Sequence, residues 1–116
     1  MPQILGYVTS EDRDRFEAYA LAHGINVTAL ANLLIARELR ARRLTKLQDA
    51  FDATRPLASR SKIVAHTPDA ATKAAFTARA HEAGMKPSRA AAVLFRAELK
   101  ERWLETYVLV NRFDST

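Results

Sequence analysis

Short alternating segments and longer helically patterned ones follow each other twice along the chain. Residues 3–9 and 62–67 show a rough two-residue alternation of apolar side chains, as at Ile63 and Ala65. This alternation is typical of a β-strand. Strands this short need a partner strand, so we expect each to pair with the other.

A helix is predicted after each strand. Ser10 stands before two acidic residues, and its hydroxyl is suited to cap free N–H groups at a helix start. In the second half, the Thr67-Pro68-Asp69 run places proline at the expected first helical position. Gly24 and Gly84 should end these helices, because glycine readily adopts the left-handed conformation.

A second, more apolar helix is predicted after each glycine. Asn26 or Thr28 is expected to cap it in the first half, and Pro87 and Ser88 mark its start in the second. The apolar spacing predicts helices that are nearly buried all round in their first halves and form the centre of a shared core. The core positions are Leu30, Leu33, Leu34, Ala90, Val93, Leu94 and Ala97.

The pattern also predicts where these second helices end. We expect the first to reach about Leu44, with helix continuing to about Phe51 before a flexible linker, and the last to reach about Val110. The predicted division is a first repeat at 1–44, a linker at 45–61, a second repeat with an extended last helix at 62–110, and a short tail at 111–116.

The two halves are copies of one unit. At a constant offset of 60 residues, 16–25 aligns with 76–85, 33–40 with 93–100, and Arg42 and Leu44 with Arg102 and Leu104. An ungapped offset of this kind indicates duplication. Two copies favour a pseudo-symmetric pair over a solenoid.

Composition narrows the class of protein. The chain has 116 residues, 48% of them hydrophobic, which suffices for one core. It lacks cysteine, an apolar run long enough to span a membrane and a signal-peptide pattern, so we expect a cytoplasmic protein. Residues 1–60 carry nine Lys/Arg and seven Asp/Glu (+2), and residues 61–116 carry nine and six (+3). Basic charge in both halves suits a polyanionic partner.

Catalytic patterns are missing from the sequence. There is no nucleophile–base pair, no cluster of acids and no glycine-rich phosphate loop. The three histidines, His23, His66 and His81, lack the spacing of metal ligands. We therefore expect no enzymatic activity, no metal and no cofactor.

The order of strand, helix, Gly-apolar-polar turn and longer helix resembles the ribbon-helix-helix (Arc/MetJ-type) family of DNA-binding proteins. The most specific segments are Gly24-Ile25-Asn26-Val27-Thr28 and Gly84-Met85-Lys86-Pro87-Ser88. The resemblance implies a mostly α tandem ribbon-helix-helix pseudo-dimer, with a two-stranded antiparallel ribbon and four core helices. This tandem form resembles TraY-type relaxosome proteins of conjugative plasmids.

The resemblance also implies which residues bind double-stranded DNA. One ribbon face would enter the major groove and read bases through Gln3, Leu5, Tyr7, Lys62, Val64 and His66. The opposite face would point to the core through Ile4, Gly6, Val8, Ile63, Ala65 and Thr67. Phosphates would bind at the second-helix starts through Asn26, Val27, Thr28, Lys86, Ser88 and Arg89.

Several functions are compatible with this predicted fold. The protein is expected to act as a transcriptional repressor or as an accessory factor at a plasmid transfer origin, with a second copy on DNA or a relaxase as further partners. The alternatives are an antitoxin, although residues 111–116 form a short tail for that class, and a protein-interaction module, which the apolar Leu5 and Val64 favour.

Other basic and aromatic residues are assigned to structure. Arg37, Arg40, Arg42 and Arg43 should form the solvated side of the second helix, with Glu38 and Arg42 as an i,i+4 pair. Trp103 and Tyr107 share the same spacing and should pack on the core or at an oligomer contact.

Overall fold

The computed structural model describes residues 2–50 and 61–105, with the side chains of 48–50 excepted. Within them the chain is mostly helical with one two-stranded antiparallel sheet. The elements are β1 (Gln3–Val8), α1 (Ser10–Ala22), α2 (Val27–Ala41), α3 (Leu44–Ala50), β2 (Ser61–His66), α4 (Ala70–Glu82) and α5 (Pro87–Glu101), and residues 103–105 are helical. Most of the predicted linker, the extension of the last helix past 105, Tyr107 and the 111–116 tail lie outside the described residues.

The two strands pair along their full length. The register runs from Gln3 opposite His66 to Val8 opposite Ser61, so Ser61 belongs to β2 rather than to the predicted linker. One face of the sheet is buried, as the alternation predicts. Its residues are Ile4, Gly6, Val8, Ile63 and Ala65, and Thr67 continues the buried series after β2.

The strands and the helices follow different offsets between the copies. The helices repeat at 60 residues, since α1 starts at 10 and α4 at 70. The buried strand positions 4, 6 and 8 correspond instead to 63, 65 and 67, an offset of 59. One additional residue therefore separates strand from helix in the second copy, in the turn that holds Pro68. The pseudo-twofold relation then equates Leu5 with Val64, and these two residues face each other at the middle of the ribbon.

The first helix of each copy is capped near the predicted site, one residue away in the first copy and two residues away in the second. Thr9, not Ser10, is the N-cap of α1, and its hydroxyl accepts the Asp12 N–H at 3.0 Å. Asp69 caps α4 through the Thr72 N–H at 2.8 Å, so Pro68 lies before the helix rather than in its first turn. In both cases a short polar side chain lies three residues before the N–H that it binds.

Both first helices end at the predicted glycines. Gly24 has a φ of 76° and Gly84 a φ of 75°. The residue after each glycine donates its N–H to a carbonyl five residues earlier, with Ile25 to Ala20 at 3.1 Å and Met85 to Ala80 at 2.9 Å. This hydrogen-bond pattern closes a helix at a left-handed residue.

The second helices end earlier than predicted. α2 stops at Ala41 and α5 at Glu101, because the next residues, Arg42 and Arg102, are left-handed with φ near 52° and 54°. Each N–H still binds the carbonyl four residues back. The chain then starts a new helical segment at 44 or 103, so the predictions of continuous helix to Leu44 and to Val110 are wrong.

The two copies interlock around one core. α5 of the second copy packs on β1 of the first, and α2 packs on β2. Six consecutive residues of α5, from 90 to 95, are buried, as a helix covered on all sides requires. α2 is less enclosed than predicted, because Leu33 is 39% exposed.

No single described helix has the length and apolar character to cross a membrane. α1 and α2 satisfy that test only when they are taken together, and they are bent by 92° at their junction.

Candidate nucleic-acid interface

The solvent-facing side of the ribbon brings six side chains onto one surface. They form three cross-strand pairs, which we call the ribbon surface: Gln3 with His66, Leu5 with Val64, and Tyr7 with Lys62. Residues opposite each other in an antiparallel pair point to the same face. All six sequence-predicted base-reading residues therefore share one surface. Gln3, Tyr7 and Lys62 are exposed, and the other three are half-buried.

The chemistry of this surface varies along its length. One end carries an amide and an imidazole, the middle carries two aliphatic side chains, and the other end carries a phenol and an ammonium. The six residues include no acid. Amides and ammonium groups match the base edges of the major groove, and aliphatic groups match the thymine methyl.

Hydrogen bonds to two helices and between the residues that flank the strands hold the ribbon in place. The His66 N–H donates to the Asn32 Oδ1 atom of α2 at 2.7 Å. The Ser10 and Ser61 hydroxyls lie 3.0 Å apart, and the Thr67 N–H donates to the Pro2 carbonyl at 3.0 Å. Both ends of the ribbon are thus tied to the helical layer beneath it.

The start of α2 offers fewer free donors than the sequence suggests. The Asn26 side chain accepts the Ala29 N–H at 2.8 Å and so caps the helix from within. Val27 and Thr28 are half-buried. Their N–H groups remain without an intrahelical partner, as in the first turn of any helix, but no cation stands among these three residues.

The start of α5 is different in charge and in capping. Its N-cap residue, Lys86, makes no side-chain cap hydrogen bond, and Pro87 occupies the first turn. Lys86 is exposed, whereas Ser88 and Arg89 are half-buried. The Arg89 side chain already interacts within the protein. Lys86 and the open first turn make this the more anion-attracting of the two helix starts.

Beneath the interface, a pair of buried glutamates was missed by the sequence analysis. Glu38 and Glu98 occupy equivalent positions, with 2% and 1% exposure. Glu38 accepts the N–H groups of Arg43 and Leu44 at 2.9 and 3.1 Å, and Glu98 accepts that of Leu104 at 2.7 Å. Each carboxylate therefore caps the helical segment that follows its own helix.

Each glutamate also binds a side chain from the other copy. Arg79 of α4 donates its Nε–H to Glu38 at 3.0 Å, and Tyr19 of α1 donates its hydroxyl to Glu98 at 2.6 Å. Tyr19 and Arg79 are equivalent at the offset of 60. Burial, and then the Glu98 carboxylate, raise the pKa of Tyr19 well above its ordinary value.

This arrangement corrects the predicted Glu38–Arg42 surface pair. The Arg42 guanidinium reaches Glu82 at 2.6 Å, while Glu38 points into the core. The Arg37 guanidinium lies 4.5 Å from the ring centroid of Trp103, which packs against the core, the first of its two predicted positions. The sequence did contain a signal for these buried glutamates, since Glu38 and Glu98 occupy matching positions in the repeat. A glutamate in a basic helix is usually solvated, however, so the match was not interpreted as burial.

Within residues 2–50 and 61–105, no group of three or more His, Asp or Glu side chains is arranged to hold a metal ion. The chain matches no protein-family profile, no curated protein sequence and no solved structure. Its function is therefore inferred from its own geometry.

Proposed function

We propose that the chain is a tandem ribbon-helix-helix protein that binds double-stranded DNA sequence-specifically in the cytoplasm, as a transcriptional repressor or as an accessory factor at a plasmid transfer origin. The ribbon surface lies in the major groove, which admits a two-stranded β-ribbon. The observation that carries this proposal is a two-stranded ribbon with six outward side chains, none acidic, that is hydrogen-bonded to the helices beneath it.

The register gives the bound sequence an order. Gln3 at one end suits adenine, the central Leu5 and Val64 suit thymine methyls, and Lys62 at the other end suits guanine. Because the two ends differ, the preferred site is not a palindrome. An ordinary homodimer would present the same residues at both ends.

The starts of α2 and α5 also differ, in their charge. Lys86 places a cation at the start of α5, and the α2 start carries none. Phosphate contacts position the protein without reading sequence. The second copy therefore supplies more of the backbone affinity, while both strands supply the base contacts.

A binding titration tests the proposal. A labelled duplex from upstream of the protein's own gene, and a duplex selected from random sequence by the protein itself, are compared with scrambled duplexes at two salt concentrations by fluorescence anisotropy. We expect a preference of about a hundredfold or more, as for specific DNA-binding proteins, and its loss in Gln3→Ala/Lys62→Ala. Affinity should fall steeply as salt rises.

A matched variant separates base readout from charge. Lys46→Ala removes the same charge as Lys62→Ala from an exposed position on α3, which packs against α5 rather than on the ribbon. It should keep the preference. Equal, weak affinity for selected and scrambled duplexes, unchanged by the ribbon substitutions, would contradict the proposal.

One observation favours a second function. Leu5 and Val64 place an apolar pair at the middle of the ribbon surface, where a polar pair would read bases more specifically. An apolar ribbon centre also suits contact with another protein, as in a protein-interaction module or an antitoxin. Binding to a protein partner would depend little on salt, and the titration above would then give no DNA preference.

A further inference from the structure

A cleft lies between α2 and the second copy. The residues that line it differ in chemistry from those at the equivalent place in the other half. It measures about 350 Å³, within the range of small-molecule sites. Ile35 and Ala65 form its buried base, with 2% and 0% exposure, and Leu39 and Pro68 add apolar walls. It lies away from the α2 helix start, on the middle and end of that helix.

Substitution between the copies opens this cleft. In the other half, Arg96 of α5 reaches across to Asp12 of α1 at 3.6 Å. The residues equivalent to that ion pair are Ala36 and Thr72, and both line the cleft. The long guanidinium side chain and the carboxylate that bridge one half are thus replaced by a methyl group and an uncharged hydroxyl side chain.

The floor of the cleft also differs from the equivalent place in the other half. In the other half the Phe95 ring covers Gly6 so closely that a Cβ on Gly6 would lie 2.6 Å from it. The equivalent pair here is Ile35 and Ala65, in which a smaller side chain faces the strand. The apolar floor is therefore recessed, and the turn with Pro68 forms one side of it.

The polar lining defines the ligand's charge. Among the residues that the structure describes, no Asp or Glu side chain lines the cleft. Arg40 does line it, is exposed, and makes no ion pair or hydrogen bond with the residues that the structure describes. A guanidinium beside an apolar cleft pairs with a carboxylate in a geometry of two parallel hydrogen bonds.

We propose that this cleft binds a small monocarboxylate with an aromatic or branched aliphatic body, whose carboxylate pairs with Arg40 and whose body lies against Ala36, Leu39 and Pro68. The proposal does not depend on DNA binding. It assigns the α2–β2 side of the molecule a ligand site, whereas the ion pair of Arg96 and Asp12 fills the equivalent place on the α5–β1 side.

The test is a nuclear magnetic resonance titration of the ¹⁵N-labelled full chain with 3-phenylpropionate, to about 10 mM. We expect saturable shifts at the amides of Ala36, Ala65 and Thr72. The neutral amide of the same acid should bind at least about fivefold more weakly, because it cannot form the charged pair. Arg40→Gln should remove that difference, whereas Lys100→Gln at the equivalent position of α5 should keep it.

Two variants that close the cleft complete the design. Ala36→Arg/Thr72→Asp rebuilds the ion pair of the other half, and Ile35→Phe/Ala65→Gly rebuilds its Phe95–Gly6 floor. Both should abolish the shifts while retaining a dispersed spectrum. The proposal is overturned by an absence of saturable shifts in the unmodified chain, by equal affinity for acid and amide, or by shifts that persist in both closed variants. Shifts at these residues that change with protein concentration before any acid is added would place a second copy there instead.

Discussion

Residues at equivalent positions of the two copies have the same geometry but bind different chemical groups. Glu38 and Glu98 are both buried and both cap the segment that follows their helix. One receives a guanidinium from Arg79 and the other a phenol from Tyr19. A buried carboxylate without such donors is strongly destabilising, so each copy depends on the other for the stability of its own helix junction.

Replacing Tyr19 by phenylalanine tests this dependence. The change removes the hydroxyl that lies 2.6 Å from the Glu98 carboxylate and should lower the free energy of unfolding by about 1–3 kcal/mol. Urea unfolding of Tyr19→Phe, Glu98→Gln and the double variant measures it. Effects that add without coupling would show that the hydrogen bond does not contribute.

The same side chain makes stability depend on alkaline pH. The folded pKa of Tyr19 is raised above its ordinary value of 10.0, so above that pH the unfolded chain loses the proton while the folded chain retains it. This contribution is complete below about pH 10 and is lost as pH rises towards the folded pKa. The stability difference between the unmodified chain and Tyr19→Phe should therefore stay constant up to about pH 10 and shrink as pH rises above that value. A difference that stays constant with pH would contradict this assignment.

Lys62 and Lys86 are expected to act differently on DNA. Lys62→Ala removes a base contact and should cost about 1–3 kcal/mol with the preferred site while relaxing its sequence preference. Lys86→Ala removes a phosphate contact and should weaken all duplexes alike, with the slope of log affinity against log salt reduced by about one. Parallel salt titrations on specific and scrambled duplexes distinguish the two. Identical effects of both substitutions would mean that Lys62 contributes charge alone.

At the level of secondary-structure elements, α5 approaches Gly6 of β1 more closely than any element approaches another glycine of the described residues. A Cβ at Gly6 would lie 2.6 Å from Phe95 Cε2 and 3.1 Å from the Ala92 backbone nitrogen. No atom of the described part of the chain lies within 4 Å of such an atom at Gly24 or Gly84. These two glycines are required by their positive φ instead. Glycine thus serves close approach in β1 and helix closure in the turns.

Gly6→Ala should destabilise the protein by about 1–3 kcal/mol through overpacking. The second copy supplies the control, because Ala65 and Ile35 are the equivalents of Gly6 and Phe95. Gly6→Ala/Phe95→Ile reproduces that pair and should recover part of the loss relative to Gly6→Ala alone. Thermal unfolding of Gly6→Ala, Phe95→Ile and the double variant provides the comparison. A double variant no more stable than the sum of the two single changes would argue against the clash.

The elements also show what could be predicted from sequence. Strand alternation at Ile63 and Ala65 and the glycine stops at Gly24 and Gly84 were predicted, because each depends on local backbone physics. The stops at Arg42 and Arg102 were missed, because arginine carries no signal for a left-handed conformation. They depend on Glu38 and Glu98, whose burial is set by tertiary contacts. The cleft was not predicted because it arises from residues that differ between the copies, whereas the sequence prediction was based on the residues that the copies share.

At the level of the whole molecule, neither copy is closed by itself. Each strand pairs with the other copy's strand and is covered by the other copy's second helix. The contacts of Arg79 and Tyr19 cross between copies as well. A unit of this kind behaves as a dimer whose subunits share one chain.

Cutting the chain between Ala50 and Ser61 tests the interlocking. With a protease site introduced in residues 51–60, the two fragments should remain associated and co-elute at micromolar concentration. Their melting temperature should rise with concentration, unlike that of the uncut chain, because association now contributes to stability. Fragments that separate and each keep a cooperative unfolding transition would contradict the interlocked core.

The pairing of β1 with β2 also constrains how the protein is made. The N-terminal strand leaves the ribosome about 60 residues before its partner, which at typical rates of synthesis is a delay of roughly 3–12 s. Its cover, α5, emerges later still. Throughout this interval, an apolar strand with two unpaired edges is exposed to neighbouring nascent chains. Two chains translated from one messenger can therefore exchange first strands, and the same interlocking that unites the copies makes domain-swapped dimers the expected misassembly product.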